Sequence, residues 1–375
     1  MILLACLWWF LAVYILYCLF ENTLLFAKPA PADPRRREWP RVSLLIPARN
    51  EQERVGPCLK SLLAQDYPSF EVLVLDDRST DGTFSFVKKF ASKDKRLQVF
   101  RGRELAKGWL GKPWACFQLA KKAKGEWLFF TDADTWHGPK MLKRTVAMAE
   151  AKKADTMTLL TRQVTRSWME ALVIPVMAFH LLAFFPARLS LNKNSRFSGL
   201  AGVSGQFVFI RRAVYRAFGG HETVKAEIVE DLNFGKQVVK AGYRLVYGDG
   251  SDFSYCRMYT NSREVWEGFS KNFFAAVGFS PLLVLLTLLV LLGDGVLPFV
   301  ILALGKGTAL WPAALGLCLA LWATRGVQAW RYGMSKISVL FHPLGCLLFA
   351  AIGVNSIWWA LSGKGHWKGR KLTTN

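Results

Sequence analysis

Residues 2–20 carry no charged side chain, and most of them are large and apolar. A run of this length can cross the hydrocarbon core of a bilayer as an α-helix. It lacks the basic start, the short apolar core and the small-residue cleavage site of a secretory signal peptide. We therefore expect a transmembrane helix within residues 1–27, which restricts the chain to membrane-attached architectures.

Apolar stretches return in the C-terminal third, at 281–304, 309–323 and 338–361. We expect transmembrane or re-entrant helices within 273–363 and a basic cytoplasmic tail at 364–375. If each stretch crosses the membrane once, the chain crosses it an even number of times, counting the first helix. A cytoplasmic tail requires an odd number of crossings, because the N-terminus is expected to face outward. Either the first stretch breaks into a re-entrant pair at its glycines, or one stretch only dips into the bilayer.

The charged residues are concentrated between these apolar segments. A basic linker at 28–41 follows the first segment, and the positive-inside rule then places the body in the cytoplasm of a multi-pass inner-membrane protein. The chain has a net charge of +22 but no nucleic-acid-binding motif. Several of its 15 Trp residues lie at the ends of the apolar segments. We therefore expect the basic residues to contact the membrane surface and not a nucleic acid.

Strand-like and helix-like runs alternate at the start of the body, which predicts an α/β fold with a mostly parallel sheet. The strand-like runs lie at 42–47, 70–77, 97–100 and 126–134. Helices are expected from a cap at Asn50, from Asp81-Gly82 and from Pro113. A further apolar run at 168–188 is interrupted by Pro175 and His180, so we expect an interfacial helix there.

Polar side chains follow three of these strands where each strand ends. They belong to Arg49-Asn50-Glu51, Asp76-Asp77 and Asp132-Ala133-Asp134. Ligands of open α/β sheets bind at the carboxyl ends of the strands, so we expect one shared site. Carboxylates such as those of Asp132 and Asp134 suit Mg²⁺ or Mn²⁺, which can bridge the phosphates of a nucleotide.

Two other features have more than one explanation. The loop before Pro113 places Lys112 and two glycines at a helix start, where they could approach a phosphate, although a plain loop explains them equally well. Glu230-Asp231 opens a helix-like run. Helix capping explains these charges as well as a general base at Asp231 does.

The ordered set of motifs resembles membrane-bound family 2 glycosyltransferases with a GT-A fold. It comprises IPARNE (46–51), LDDRSTDG (75–82), TDAD (131–134) and VEDLNFGKQVVKAGYRL (229–245). Other motifs are similar to carotenoid and hopene-associated glycosyltransferases, namely GWLGKPWACFQ (108–118), SGQFVFIRRAVYRAFGGHE (204–222), RMY (257–259), EVWEGFSKN (264–272) and HWKGRKL (366–372). The resemblance implies a Rossmann-like GT-A domain at 42–272 between N-terminal and C-terminal transmembrane helices.

The resemblance also implies roles for particular residues. Nucleotide-binding roles fall to Pro47, Ala48, Arg49, Glu51, Asp77, Lys112 and Asp132. Asp134 and Asp132 would hold a divalent metal, Mg²⁺ or Mn²⁺. Asp231 would act as the catalytic base, with Glu230 on the acceptor side.

One departure from the family pattern concerns polymer synthesis. Processive members carry a QxxRW signature, whereas residues 262–266 read SREVW and lack both the Gln and the Arg before Trp266. We therefore expect one sugar to be added to one acceptor. Trp266 and Lys271 either border the acceptor site or anchor the chain at the membrane interface.

The resemblance thus implies an inverting transfer of a hexose from a nucleotide sugar, with UDP-glucose as the expected donor. The expected acceptor is a hydrophobic lipid, such as a carotenoid or hopanoid, at the cytoplasmic membrane face. Alternatives are a polyprenyl-phosphate glycosyltransferase and a polysaccharide synthase. The non-enzymatic alternative is a membrane-tethered nucleotide- or lipid-binding protein.

Overall fold

The computed structural model describes residues 1–33, 35–184, 186–362, 366–367 and 370–371. Most of the tail expected at 364–375 lies outside the described residues. The chain divides into two compact units. The helical unit comprises Met1–Leu24, Gln163–Ala187 and Tyr259–Asn375, and the sheet unit comprises Leu25–Arg162 and Arg188–Met258.

The helices and strands are numbered in chain order. The α-helices are α1 (Ile2–Leu25), α2 (Val55–Leu63), α3 (Thr83–Ala91), α4 (Gly111–Lys122), α5 (Met141–Ala151), α6 (Trp168–Ala183), α7 (Arg212–Ala217), α8 (Glu230–Lys240), α9 (Ser262–Ala276), α10 (Pro281–Gly293), α11 (Leu297–Leu304), α12 (Trp311–Tyr332), α13 (Ile337–Leu340) and α14 (His342–Ser362). The strands are β1 (Val42–Ala48), β2 (Phe70–Asp76), β3 (Leu97–Arg101), β4 (Trp127–Phe130), β5 (Thr135–His137), β6 (Thr156–Leu160), β7 (Arg162–Gln163), β8 (Val208–Arg211), β9 (Leu245–Asp249), β10 (Ser254–Cys256), β11 (His366–Trp367) and β12 (Arg370–Lys371). Short 3₁₀ helices lie at Ala187–Leu191, Ser198–Leu200 and Gly220–Val224.

The sheet unit is built on a seven-stranded sheet with the order β3-β2-β1-β4-β8-β6-β9. Strands β3, β2, β1 and β4 are parallel, and β8 is antiparallel to both of its neighbours. The expected mostly parallel sheet is therefore confirmed, with one reversed strand that the sequence pattern did not show. Strands β5, β10 and β7 form a small second sheet.

Both faces of the large sheet are covered by helices. Leu44 and Ile46 of β1 share a buried cluster with Val55 and Leu59 of α2. Because side chains alternate along a strand, Leu45 points to the opposite face. The connection from β3 to β4 crosses back over β2 and β1, and it places α4 on that opposite face.

Among the described residues of the helical unit, three helices are long and apolar enough to cross a membrane: Ile2–Leu25, Pro281–Leu304 and His342–Ser362. The second is interrupted, since α10 ends at Gly293 and α11 begins at Leu297. A break therefore lies at the glycines of this stretch, as one of the two alternatives requires, and a re-entrant arrangement of the pair stays a prediction.

The remaining apolar stretches form helices of other lengths. The stretch expected at 309–323 continues as α12 to Tyr332. Helix α6 ends at Ala183, and its N-terminal and C-terminal halves pack into separate apolar clusters of the helical unit. Its interfacial position stays a prediction.

Candidate functional site

The carboxyl ends of β1, β2 and β4 lie side by side. Ala48 pairs with Asp76 across β1 and β2, and Leu45 pairs with Phe130 across β1 and β4. Asp77 and Asp132 follow directly after β2 and β4, as the sequence pattern predicts. The shared edge expected for these polar residues therefore exists in the sheet unit.

Lys112 lies between two carboxylates at this edge. Its Nζ is 2.8 Å from Asp132 Oδ1 and 3.0 Å from Glu230 Oε1. The side chain of Lys112 is 28% exposed and that of Glu230 11% exposed. Burial by itself would lower the pKa of Lys112, but the charges of Asp132, Glu230 and Asp231 outweigh it and hold that pKa well above its ordinary value.

Asp231 is held by backbone groups at the start of α8. Its Oδ2 accepts a hydrogen bond of 3.0 Å from the Gly205 N–H, and its Oδ1 accepts one of 2.9 Å from the Leu232 N–H. Burial first and the charge of Glu230 second raise the pKa of Asp231 to about 6, against the opposing effect of Lys112. A carboxylate with this pKa is an adequate proton acceptor near neutral pH.

Gly205 leaves the space in which these charged groups meet. A Cβ atom at this position would lie 2.7 Å from Lys112 Nζ, 3.4 Å from Asp231 Oδ2 and 3.5 Å from Asp132 Oδ2. The three side chains therefore surround one backbone position that has no side chain of its own. Sequence reasoning missed this residue, because a glycine between Ser204 and Gln206 carries no signal of its own.

Asp134 belongs to the same group of carboxylates. Burial first, and then the charges of Asp132 and Glu51, raise the pKa of Asp134 to about 7. The Cys256 thiol donates to Asp134 Oδ1 across 3.5 Å. Like charges held together away from water favour the approach of a cation.

The donor set fits a divalent metal in part. Among the described residues, no three His, Cys, Asp or Glu side chains are arranged as a ligand set. Mg²⁺ commonly takes one or two carboxylates from the protein, and its other ligands come from water and substrate phosphates. Asp132 and Asp134 supply carboxylates of that kind, so the residues fit a metal that is completed by a nucleotide.

A narrow cleft opens beside these groups. It is lined by five of the predicted site residues, Pro47, Lys112, Asp132, Glu230 and Asp231. Its other lining residues are Cys116, Phe130, Thr131, Val203, Gly205, Val208, His221 and Phe234. One surface of the sheet unit thus joins residues that are far apart along the chain.

The remaining nucleotide-side residues form a loop pair beside Asp77. Arg49 Nη1 donates to the backbone oxygen of Asp77 across 2.6 Å, and the Asp77 N–H donates to the Ala48 oxygen across 2.7 Å. The backbone N–H of Glu51 donates to Thr83 Oγ1 across 2.9 Å. These contacts place Ala48, Arg49, Glu51 and Asp77 together, and their nucleotide-binding roles stay predictions.

The expected helix cap at Asn50 is wrong. Helix α2 begins at Val55, and Asn50 has a left-handed backbone with φ of 53°. Its Oδ1 accepts from the Thr80 N–H across 2.8 Å, and its N–H donates to Ser79 Oγ across 3.0 Å. Asn50 therefore ties the loops after β1 and β2 together, because its short amide side chain can satisfy a neighbouring loop.

Trp266 and Lys271 both lie on α9 of the helical unit. Trp266 is half-buried against the apolar cluster that contains Val265 and Phe269. The acceptor-side role of both residues stays a prediction.

Sequence reasoning also missed a buried polar chain beneath the Asp132 loop. Thr131 Oγ1 lies 3.1 Å from His137 Nε2, and His137 Nδ1 lies 2.9 Å from Ser254 Oγ. Burial lowers the pKa of His137 to about 3, so the ring is neutral. These hydrogen bonds fix the segment from Thr131 to His137, which contains Asp132 and Asp134.

Comparison with known proteins shows a family match and named relatives. Residues 43–219 match the family described as Glycosyl transferase family 2. The 4,4'-diaponeurosporenoate glycosyltransferase of Staphylococcus haemolyticus is 26% identical over 248 residues, and the match covers 64% of this chain and 62% of that relative, less than two-thirds of its length. The enzyme of the same name from Staphylococcus aureus is 24% identical over 373 residues, with 88% of each chain covered.

A solved structure shares the fold. The mannosyltransferase of Pyrobaculum calidifontis, in complex with GDP-Man and Mn²⁺, is similar with a TM-score of 0.56 and 18% identity, and the match covers 95% of this chain and 97% of that one. The mixed sheet and the cleft at its strand ends therefore define a GT-A fold. Residues 43–219 thus form a glycosyltransferase family 2 domain, and this domain together with the named relatives supports a glycosyltransferase. The resemblance drawn from the motifs is confirmed.

Proposed function

We propose that this enzyme transfers a hexose from a nucleotide sugar, with UDP-glucose as the expected donor, to a hydrophobic lipid at the cytoplasmic membrane face. The observation that carries the proposal is the convergence of Lys112, Asp132 and Asp231 on one cleft. A lysine can stabilise a leaving diphosphate, and a carboxylate with a raised pKa can accept a proton. The names of the staphylococcal relatives support an acceptor with a carotenoid-like apolar body, and a hydroxyl as its reacting group is part of the proposal.

Asp231 acts in this proposal as the base. It takes a proton from an acceptor hydroxyl while that oxygen attacks the anomeric carbon from the side opposite the diphosphate, so the transfer inverts the configuration. The Gly205 and Leu232 N–H groups hold the carboxylate in one orientation throughout. Glu230 keeps Lys112 in the cleft on the acceptor side.

Lys112 stabilises the negative charge that develops on the leaving diphosphate. Its ammonium group is fully charged at neutral pH, because the carboxylates around it keep its pKa high. A divalent metal held by Asp132 and Asp134 would supply additional positive charge to the diphosphate. Pro47, Ala48, Arg49, Glu51 and Asp77 line the nucleotide side of the proposed site.

The membrane assignment rests on the apolar helices. Among the described residues, one helix that is long and apolar enough to span a membrane precedes the sheet unit in the sequence, and two such helices follow it. With the basic linker at 28–41, they support a multi-pass inner-membrane enzyme whose catalytic domain, proposed at 42–272, faces the cytoplasm. Such an enzyme would meet a lipid acceptor in the bilayer and a nucleotide sugar in the cytoplasm.

The test incubates the purified full-length protein with labelled UDP-glucose and a membrane-lipid extract. We expect labelled lipid to form, to disappear with EDTA and to be absent with Asp134→Asn. Glu227→Gln is the matched control, since Glu227 is an exposed carboxylate near Asp231 that lies outside the cleft. Label in a long water-soluble chain, or no labelled lipid with any nucleotide sugar, would overturn the proposal.

The response to Asp231→Asn identifies the acceptor class. A hydroxyl acceptor needs a base, so the variant should be inactive with it. A phosphate or carboxylate acceptor is already anionic at neutral pH and needs no base. Retained activity in this variant would therefore replace the lipid hydroxyl with an anionic lipid acceptor.

A further inference from the structure

A half-exposed aromatic cluster lies on α4 and on the loop before it. The rings of Trp109, Trp114 and Phe117 contact one another, with centroid distances of 5.0, 4.9 and 5.7 Å. Leu105 beside them in sequence is 41% exposed. The opposite side of α4, including Ala115 and Leu119, is buried in the sheet unit. This surface is therefore the outer side of the helix that carries Lys112.

The same surface is strongly basic. Residues 105–124 contain five lysines and no acidic residue. Lys112 turns inward to the cleft, whereas Lys107, Lys121 and Lys122 are exposed. Lys121 Nζ lies 4.3 Å from the centre of the Phe117 ring, so the cationic and apolar groups are interleaved. We call Leu105, Lys107, Trp109, Trp114, Phe117, Lys121 and Lys122 the α4 face.

We propose that the α4 face docks on the surface of an anionic bilayer. Trp side chains favour the membrane–water interface, and exposed lysines complement the negative charge of anionic lipid headgroups. The chain also carries helices that could span a membrane, which would hold this face at a high effective concentration of bilayer. Neither the family match nor the proposed transfer assigns this surface, and the inference does not depend on the sugar or the acceptor.

Docking would act on the wall of the cleft that carries Lys112. The Leu110 N–H donates to the Lys225 oxygen across 2.7 Å, and this bond anchors the loop between Trp109 and Lys112. The aromatic rings and the inward-turned lysine thus belong to one short, fixed segment. Binding at the α4 face would hold this segment against the headgroup layer.

The test measures the depth of a spin label on the full-length protein in vesicles. The label is attached at Lys121→Cys in a Cys6→Ser background, because Cys6 is exposed and the other six cysteines are buried. Lys89→Cys is the matched control, since Lys89 is also an exposed lysine in the last turn of a helix, α3, on the opposite face of the sheet. Vesicles contain phosphatidylcholine alone or phosphatidylcholine with phosphatidylglycerol.

We expect the label at position 121 to lose contact with a water-soluble nickel chelate several-fold when phosphatidylglycerol is present. Raising the salt to 1 M should restore that contact, because the Debye length falls to about 3 Å. The label at position 89 should stay accessible to the chelate in both vesicles. Equal protection at both positions, protection that ignores lipid charge, or no protection at position 121 would each overturn the proposal.

A variant tests the aromatic contribution. Trp109→Gln together with Trp114→Gln should reduce the protection at position 121. Unchanged protection in this variant would remove the aromatic part of the proposal, while the comparison of the two vesicles with Trp109 and Trp114 in place still tests the docking itself.

Discussion

The cleft of the sheet unit and the interior of the helical unit both bury charge, but they satisfy it in opposite ways. In and beside the cleft, Asp231 and Asp134 lie near other carboxylates, and burial with like charge raises the pKa of each. In the helical unit, Arg325 is 1% exposed and donates to neutral acceptors: Pro175 O at 2.5 Å, Ser338 O at 3.1 Å and Ser338 Oγ at 2.8 Å.

The carboxylates of the cleft are therefore placed for chemistry, whereas the charge of Arg325 connects helices. Arg325 lies on α12, and its partners lie on α6 and α13, so it links three elements of the helical unit. Its fork of donors is well matched to several acceptors. The cleft keeps its carboxylates in a less favourable setting, in which a proton or a cation improves their stability.

The largest effect is expected from Asp231→Asn. Removal of a general base lowers turnover by about 10²- to 10⁴-fold, and this loss would be measured with the labelled-lipid assay. The wild-type rate should fall as the pH drops through about 6, because burial and Glu230 raise the pKa of Asp231 to that value. Loss of turnover below pH 4 only would contradict the assigned role.

The same variant should not lose stability near neutral pH. A carboxyl whose pKa is raised by folding binds its proton more tightly in the folded state, so its contribution to stability is full below its unfolded pKa and is lost as the pH rises through about 6. Asparagine removes this dependence. A thermal melt that shows unfolding of the variant at neutral pH would mean that the lost turnover is structural.

The next effect is expected from Gly205→Ala. The new Cβ would meet Lys112 Nζ at 2.7 Å and displace the tip of a flexible side chain. A misplacement of this size can lower turnover by about 10²-fold, while the melting temperature should change little. Gly199→Ala is the control, because a Cβ at Gly199 meets no atom within 4 Å.

The helical unit should respond in the opposite way to loss of its buried charge. Arg325→Leu leaves its three acceptors without this donor and should destabilise the fold by about 1–3 kcal/mol. Arg325→Lys, which keeps the charge but not the fork, should lie between this variant and the wild type. Thermal unfolding in detergent measures both. An unchanged melting temperature would remove the distinction between the two regions.

The smallest effect is expected from an exposed ion pair of the sheet unit. Lys28 Nζ lies 2.9 Å from Asp252 Oδ1, and the two side chains are 42% and 49% exposed. Lys28→Ala should therefore destabilise the protein by less than about 1 kcal/mol and should leave turnover unchanged. A larger loss of stability in thermal unfolding would show that this ion pair contributes as much as the buried charged groups do.

The parallel strands and the acidic residues at their ends could be predicted from sequence, because apolar runs alternate with helices and acids follow the runs directly. The reversed strand β8 could not, since a buried run such as Val208–Arg211 reads the same in either direction. Helix α2 begins later than the cap predicted at Asn50, because the Asn50 side chain accepts a hydrogen bond from the next loop and does not cap the helix.

By itself, the sequence determined that apolar helices flank an α/β body and that Asp132 and Asp134 are candidates for chemistry, whereas the role of Asp231 came from the family resemblance. Apolar runs and acidic residues at strand ends can be read from residues that are close together in the sequence. Only the tertiary structure decided that Lys112 lies between Asp132 and Glu230 and that Gly205 leaves room for it. The reason is that these contacts join distant segments, whose distances are set by the packing of the sheet and its helices.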